Sequence, residues 1–352
     1  WRAPLQTNNN CIASNILYVN NEANGNNSGN SWSNGMTDLR TAFNTANLCP
    51  TITEIRVAGG QTFFASEEGR SNQFISLPKE VNIKGGYDIV SGIQDVYNNK
   101  SRLTGSIGSS TDQDNSNVLL DGSNVGNGSY IEGFTFRNGY NIWYNNAPIN
   151  FNSKDTTGLD FEFRNCSFTS NQGRFGGAIR IHEKDGNEMN IRFLACDFQN
   201  NRSNRNGGVV FVKNDSTANI QVAFENCLFT GNKATENGGI IASERRYDGQ
   251  INVEFINSTL SQNSSEKEGE ISTQLNTFPG SSNNKIEFKN SIIWNLGNTA
   301  DSLFHRSSAF TGLSNSLIKS TNGAIVIGGG STSFNDTIMS LTNPFVNLIK
   351  EL

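Results

Sequence analysis

Apolar residues recur along this chain on two scales. Over short distances they alternate with polar ones. Phe161 and Phe163 flank Glu162, and Ile191/Phe193, Val222/Phe224, Val253/Phe255 and Ile286/Phe288 repeat the arrangement. Alternation with a period of two is the mark of a half-buried strand rather than a helix. Over longer distances the whole line returns, as FEFRNCSFTSN, IRFLACDFQNN, VAFENCLFTGN, VEFINSTLSQN and IEFKNSIIWN. Phe163, Phe193, Phe224, Phe255 and Phe288 stand 30, 31, 31 and 33 residues apart, a period in the range of solenoids.

Each line predicts more than one strand. After a corner at Asn165, Ala195, Asn226, Asn257 or Asn290 the inward parity switches. Cys166, Cys196, Cys227, Ser258 and Ser291 then form one column, and Phe168, Phe198, Phe229, Leu260 and Ile293 the next. Asn171, Asn201, Asn232, Asn263 and Asn295 mark a second corner. A third run follows the pairs Gly176-Gly177, Gly207-Gly208 and Gly238-Gly239, and contributes Ile179/Ile181, Val210/Val212 and Ile241. Three strands and three corners per repeat predict an all-β fold, a right-handed parallel β-helix with three sheets, in which stacking satisfies the backbone coil by coil. Asparagine suits such corners for two reasons: it tolerates left-handed backbone, and its amide can bond to the same amide one coil away. The cysteine column is read as small core residues rather than as nucleophiles or metal ligands.

The N-terminal segment breaks the pattern. Ile16 to Asn20 reads as a first strand, followed by a polar loop over Asn21 to Gly35 that contains Trp32. From Met36 to Leu48, Leu39, Ala42, Phe43 and Ala46 fall at helical spacing behind Thr37 or Asp38 as N-cap, which predicts one helix. Residues 1–60 are therefore expected to cap the solenoid and supply its first coil. Residues 61–352 form one continuous β-helix domain, with regular repeats at about 161–295. A helix there would cover the open sheet edge and the apolar interior of the first coil. Cys11 and Cys49 are read as a disulfide holding this cap; the alternative is two unrelated free thiols. Polar loops interrupt the coils between Gly105 and Gly133 and from Gln274 to Asn284, and the aromatic, irregular stretch Tyr140 to Asn152 reads as an excursion from a corner. Beyond Trp294 the period loosens, although Leu313 to Ser320 and Gly323 to Gly330 still read as strands.

Composition narrows the partners. Only 35% of residues are hydrophobic and 35 are glycine, as a thin cylindrical core with many polar corners requires. A net charge of −5 without basic runs gives no reason to expect nucleic acid. No stretch is long and apolar enough for a transmembrane segment. The opening WRAPLQTNNN is not a signal peptide, so an exported form would already have lost one.

Candidate chemistry is sparse. The two histidines, His182 and His305, stand beside no recognisable nucleophile. Counting one period aligns His182, Lys213 and Glu244; then Glu183, Asn214 and Arg245; then Lys184, Asp215 and Arg246. Such a strip would contact an anionic polysaccharide, or offer Lys213 or Arg245 to a lyase; the plainer reading is a face of mutually compensating charges. Asp112 and Asp114 in TDQDNSN have the look of half a calcium loop but lack its glycine and bidentate glutamate. Among the aromatics, Trp32, Trp143, Tyr144 and Trp294 are read either as sugar-stacking surfaces or as covers over the barrel. Trp143 and Tyr144 are the foremost of the sugar-stacking candidates, and Trp32 reads as a cap anchor.

The ordered motifs ILYVN, NSGNSWSNGMTDLRTAF, CPTITEIRVAGG, RSNQFISLPKEVNIKGGYD, SRLTGSIG and YIEGFTFRNG resemble the choice-of-anchor Q type of secreted β-helix protein from Bacteroidetes-like bacteria. The later FxxN and GGAI lines are also similar to the repeats of chlamydial polymorphic outer-membrane proteins. That resemblance implies a secreted or cell-surface, outer-membrane-associated, adhesin-like module, delivered by bacterial secretion machinery through a terminal sorting domain. No such domain is visible before the chain stops at NPFVNLIKEL, which is expected of a chain that continues beyond Leu352. The leading expectation is an extracellular module that binds an unknown ligand, a polysaccharide or cell-surface component, or acts structurally, with no catalysis and no cofactor. The alternative is a polysaccharide lyase or glycoside hydrolase acting along one sheet.

Overall fold

The computed structural model describes residues 11–66, 74–107, 117–153, 158–267, 271–275 and 284–294, and short strands between 304 and 339. Strands of successive coils pair in parallel, always with the equivalent strand one coil away. A first sheet of eleven strands runs from Ile16–Val19 to Thr332–Asn335, a second of ten from Thr62–Phe64 to Ile338–Met339, and a third of eight from Ile75–Ser76 to Phe304–His305. The fold is thus the parallel β-helix that the repeats predict. A fourth sheet was not foreseen. It has five strands of two residues each: Tyr140–Asn141, Gln172–Gly173, Arg202–Ser203, Lys233–Ala234 and Ser264–Ser265. Strands this short carry no alternation to detect.

Register follows the sequence columns. Phe163, Phe193, Phe224, Phe255 and Phe288 pair in turn along the first sheet. Their rings stack with centroids 5.2, 4.9, 4.9 and 4.7 Å apart. Phe168, Phe198 and Phe229 make a second stack at 4.8 and 4.7 Å, meeting the first edge-on. Such pairs add about 0.5–1.5 kcal/mol each beyond the area they bury. Cys166, Cys196 and Cys227 are buried free thiols beside this stack, and each donates to backbone carbonyls, as Cys227 does to Phe193 O at 3.4 Å. Ser258 and Ser291 make the same kind of bond in the next coils, so the column selects a small donor. Burial, with neighbouring thiols above and below, pushes the Cys196 thiol well above its usual value.

The two reasons for asparagine at corners separate into two columns. Left-handed backbone is needed at Asn165, Ala195, Asn226, Asn257 and Asn290, with φ from 49 to 55°. Asn171, Asn201, Asn232 and Asn263 do not adopt it; at that corner the left-handed residue is the preceding one, Ser170, Asn200, Gly231 or Gln262. These four asparagines instead point inward as a buried amide ladder, with Nδ2 to Oδ1 distances of 3.1, 3.0 and 2.8 Å. Each Nδ2 also donates to a phenylalanine carbonyl of the previous coil, as Asn201 does to Phe168 O at 2.9 Å. A full set of partners makes a buried amide tolerable. Within the glycine pairs the two residues also differ in purpose. Gly207 is left-handed, with φ 72°, whereas a Cβ on Gly208 would lie 2.0 Å from the carbonyl oxygen of Gly239 in the next coil.

At the N-terminal end the helix spans Leu39–Leu48, with Asp38 as N-cap accepting from the Thr41 amide at 2.7 Å. Leu39, Ala42, Phe43 and Ala46 are its buried face. The capping task is divided rather than done by the helix alone. The loop before the helix closes the edge of the first strand, through Tyr18 N to Gly29 O and Met36 N to Tyr18 O at 2.8 and 2.9 Å, while the helix fills the apolar opening. Trp32 anchors that loop edge-on against Tyr18, at 4.9 Å between centroids. Cys11 and Cys49 form the disulfide, 38 residues apart, that ties the lead-in to the helix C-cap; loop-closure arithmetic gives it about 4 kcal/mol.

Candidate functional site

The third sheet turns two columns of side chains outward, Asn150–Arg180–Phe211–Ala242 and Asn152–His182–Lys213–Glu244. The predicted alignment of His182, Lys213 and Glu244 is therefore present. Asp215, just beyond the strand, gathers the cluster. His182 Nε2 lies 2.9 Å and Lys213 Nζ 2.9 Å from the same oxygen, Asp215 Oδ2. The buried Arg180 donates to Asn152 Oδ1 at 2.8 Å and to His182 Nδ1 at 2.9 Å. A guanidinium only donates, so Nδ1 must accept, and the proton of neutral His182 sits on Nε2 and is donated to Asp215.

This geometry sets the electrostatics. Burial, reinforced by the adjacent Arg180 charge, holds the His182 pKa below its usual value against the pull of Asp215. Burial would raise Asp215, but hydrogen bonds and charge from Lys213 and His182 outweigh it and hold the carboxyl below the usual range. Burial lowers Arg180, with Asp215 and Glu244 opposing. The one lone pair on His182 able to take a proton is already occupied by Arg180, so the cluster presents no free base.

The remaining candidates separate. Arg245 belongs to a buried column with Glu183 and Asn214, whose members close their own loops. Glu183 Oε1 accepts the Asp185 and Asn187 amides at 2.7 and 3.1 Å, Asn214 Nδ2 donates to Ala218 O at 2.8 Å, and Arg245 reaches Gly249 O at 3.5 Å. Arg246 is exposed, its guanidinium 5.7 Å from the centre of the Tyr247 ring. Trp294 is buried, at 4% exposure, which takes it out of the sugar-stacking candidates: its outward position is covered. Asp112 and Asp114, and with them the calcium expectation, lie outside the described residues. Among the described residues no group of three His, Cys, Asp or Glu is placed to hold a metal ion, and no helix is long and apolar enough to cross a membrane.

Trp143 and Tyr144 do stand out, at 67% and 57% exposure, on the loop between the Tyr140–Asn141 and Ile149–Asn152 strands. The base of that loop is fastened by Asn150, which donates to Ala147 O at 2.7 Å and accepts from its amide at 3.1 Å. Arg174 of the next coil joins the loop through its amide to Asn146 O at 3.3 Å and its guanidinium to Trp143 O at 3.4 Å. Beside it Phe175 packs on the outward ring of Phe211, 5.0 Å between centroids. Arg174 and Phe175 carry no period-two signal and were not legible as site residues. Arg180 was legible only as the polar residue between Ile179 and Ile181.

A cleft of about 410 Å³ follows the corner between the third and first sheets, lined by Lys79, Ser123, Ser153 and Asn187 among others. Two of its hydroxyls are already engaged: Ser123 with Asp121, and Ser153 with Asp185 at 3.1 Å and with the Lys184 amide at 3.0 Å. No family profile and no curated protein matches this chain.

Proposed function

We propose that the chain is a secreted or surface-exposed bacterial β-helix module, adhesin-like, that binds without catalysing a reaction. The observation that carries this reading is the contrast between the two candidate places. The acid–base groups of the third sheet are consumed by one another, with His182 held at both nitrogens, whereas Trp143 and Tyr144 are presented to solvent on a fastened loop. Exposed aromatics on a rigid scaffold are binding chemistry, and a lyase needs an available base. The resemblance to choice-of-anchor Q proteins supports export and delivery through a terminal sorting domain.

The test is incubation with uronic-acid, sulfated and neutral polysaccharides, with and without calcium, following both retention of the protein and chemistry on the glycan. Retention with intact glycan is the expected outcome. Release of unsaturated products or new reducing ends would overturn the reading in favour of a lyase or hydrolase.

A further inference from the structure

We propose that the corner built by Trp143, Tyr144, Arg174 and Arg202 binds a polysaccharide rich in uronic-acid carboxylates. This rests on the binding reading above and names its ligand class. The small fourth sheet places the cations. Arg202 lies between Gln172 and Lys233 in register, and Arg174 follows Gln172 by two residues. Neighbouring basic residues are paired: Lys233 with Glu266 at 2.8 Å, and Arg205 with Glu236 at 3.7 Å. Arg174 and Arg202 are not; among the described residues no carboxylate lies within ion-pair distance of either, and Arg202 reaches Glu266 only by longer-range attraction. On a chain with net charge −5, the Arg174 guanidinium bound to the loop of the two exposed rings and that of Arg202 one coil further along, neither ion-paired, form a local positive, aromatic surface.

The chemistry of the occupant follows. Aromatic faces take the apolar face of a pyranose ring, and guanidinium forks match carboxylates in bidentate geometry. The fourth-sheet strands that hold Arg202, or that lead into Arg174 and into the loop of Trp143 and Tyr144, are about 4.8 Å apart, close to the advance of one sugar unit along an extended glycan. A chain lying along the solenoid axis therefore meets ring and cation at successive coils. Phe175, with the Arg174 and Arg205 guanidiniums 6.0 and 5.7 Å from its centroid, and stacked on Phe211, stiffens the floor of the surface.

Affinity electrophoresis of the full chain through gels containing polygalacturonate, dextran sulfate or neutral dextran tests the proposal. Retardation by polygalacturonate is expected, falling about tenfold in affinity, equivalent to about 1.4 kcal/mol, in both the Trp143→Ala/Tyr144→Ala and Arg174→Gln/Arg202→Gln pairs, and weakening with salt. Thermal unfolding checks that the variants are folded. Retardation that survives both pairs would overturn the site, and so would no retardation in any gel. Equal retardation by neutral dextran, or retardation by dextran sulfate alone, would overturn the carboxylate class while leaving the binding reading standing. Unsaturated product in the polygalacturonate gel would overturn the binding reading itself.

Discussion

The outer face of the third sheet and the corner at the fourth sheet are separated by one aromatic pair, yet they use charge in opposite ways. On the third sheet the repeat sets each residue opposite its counterpart one coil away, so Asp215 collects His182 and Lys213, and Arg180 completes the set. At the corner the loop carrying Trp143 and Tyr144, residues 142–148, is longer than residues 174–178, which join the same two sheets in the next coil. Arg174 meets a backbone carbonyl there rather than an acid. Strict periodicity lets charges compensate locally, and an insertion that departs from the period leaves groups over for a partner. In this solenoid, regularity builds stability, and irregularity is where the proposed binding would have room.

The sharpest way to break the comparison is to remove the ring between the two regions. Phe211→Ala deletes the buried partner of Phe175 beside Arg180 and should cost about 3 kcal/mol, at the low end for a large aromatic because the ring lies on an outer face. Urea unfolding would read this as a lower midpoint with an unchanged slope. Next is Asp215→Asn, which leaves His182 and Lys213 without their shared carboxylate. About 2 kcal/mol is expected, less than for a fully buried pair because both partners keep some solvent; no loss would mean that the network contributes nothing to the fold.

The pH dependence sharpens the same contrast. The folded state holds His182 below its unfolded pKa of about 6.5, so at pH values beneath that the unfolded chain takes the proton first. This contribution is therefore fully present above about pH 6.5 and is lost as pH falls from there toward the folded value. Asp215, also lowered, holds its contribution above its ordinary value and loses it only as pH falls through the folded one. Melting curves across this range should show a decline that His182→Asn removes; an identical decline in that variant would assign it to other groups. The smallest effect on the fold belongs to the corner. Trp143→Ala and Tyr144→Ala should change stability by no more than about 0.5 kcal/mol, and a larger loss would make those rings cover rather than contact surface.

Much of the fold was legible because a solenoid writes its neighbours into the period. Phe193 and Phe224, 31 residues apart, had to be adjacent once the repeat was seen, and so did His182 and Lys213. The cap helix was legible from four apolar residues at helical spacing, and the Cys11–Cys49 pairing from two cysteines outside the ladder. What escaped had no period to announce it. The fourth sheet has two-residue strands, Arg174 and Arg202 sit on or beside it, and Trp294 is covered although its place in the alternation faces outward.

The division has a physical cause. The sequence alone determined which residues stack, because identical coils bring column members together whatever the coil's detailed shape. Only the tertiary structure decided which asparagines turn the chain and which bond inside it, which of three arginines is consumed by a histidine, a loop or nothing, and which tryptophan faces water. Those outcomes depend on the path of the chain between the columns, where backbone conformation and packing across the coil, rather than the repeat, select each side chain's partner.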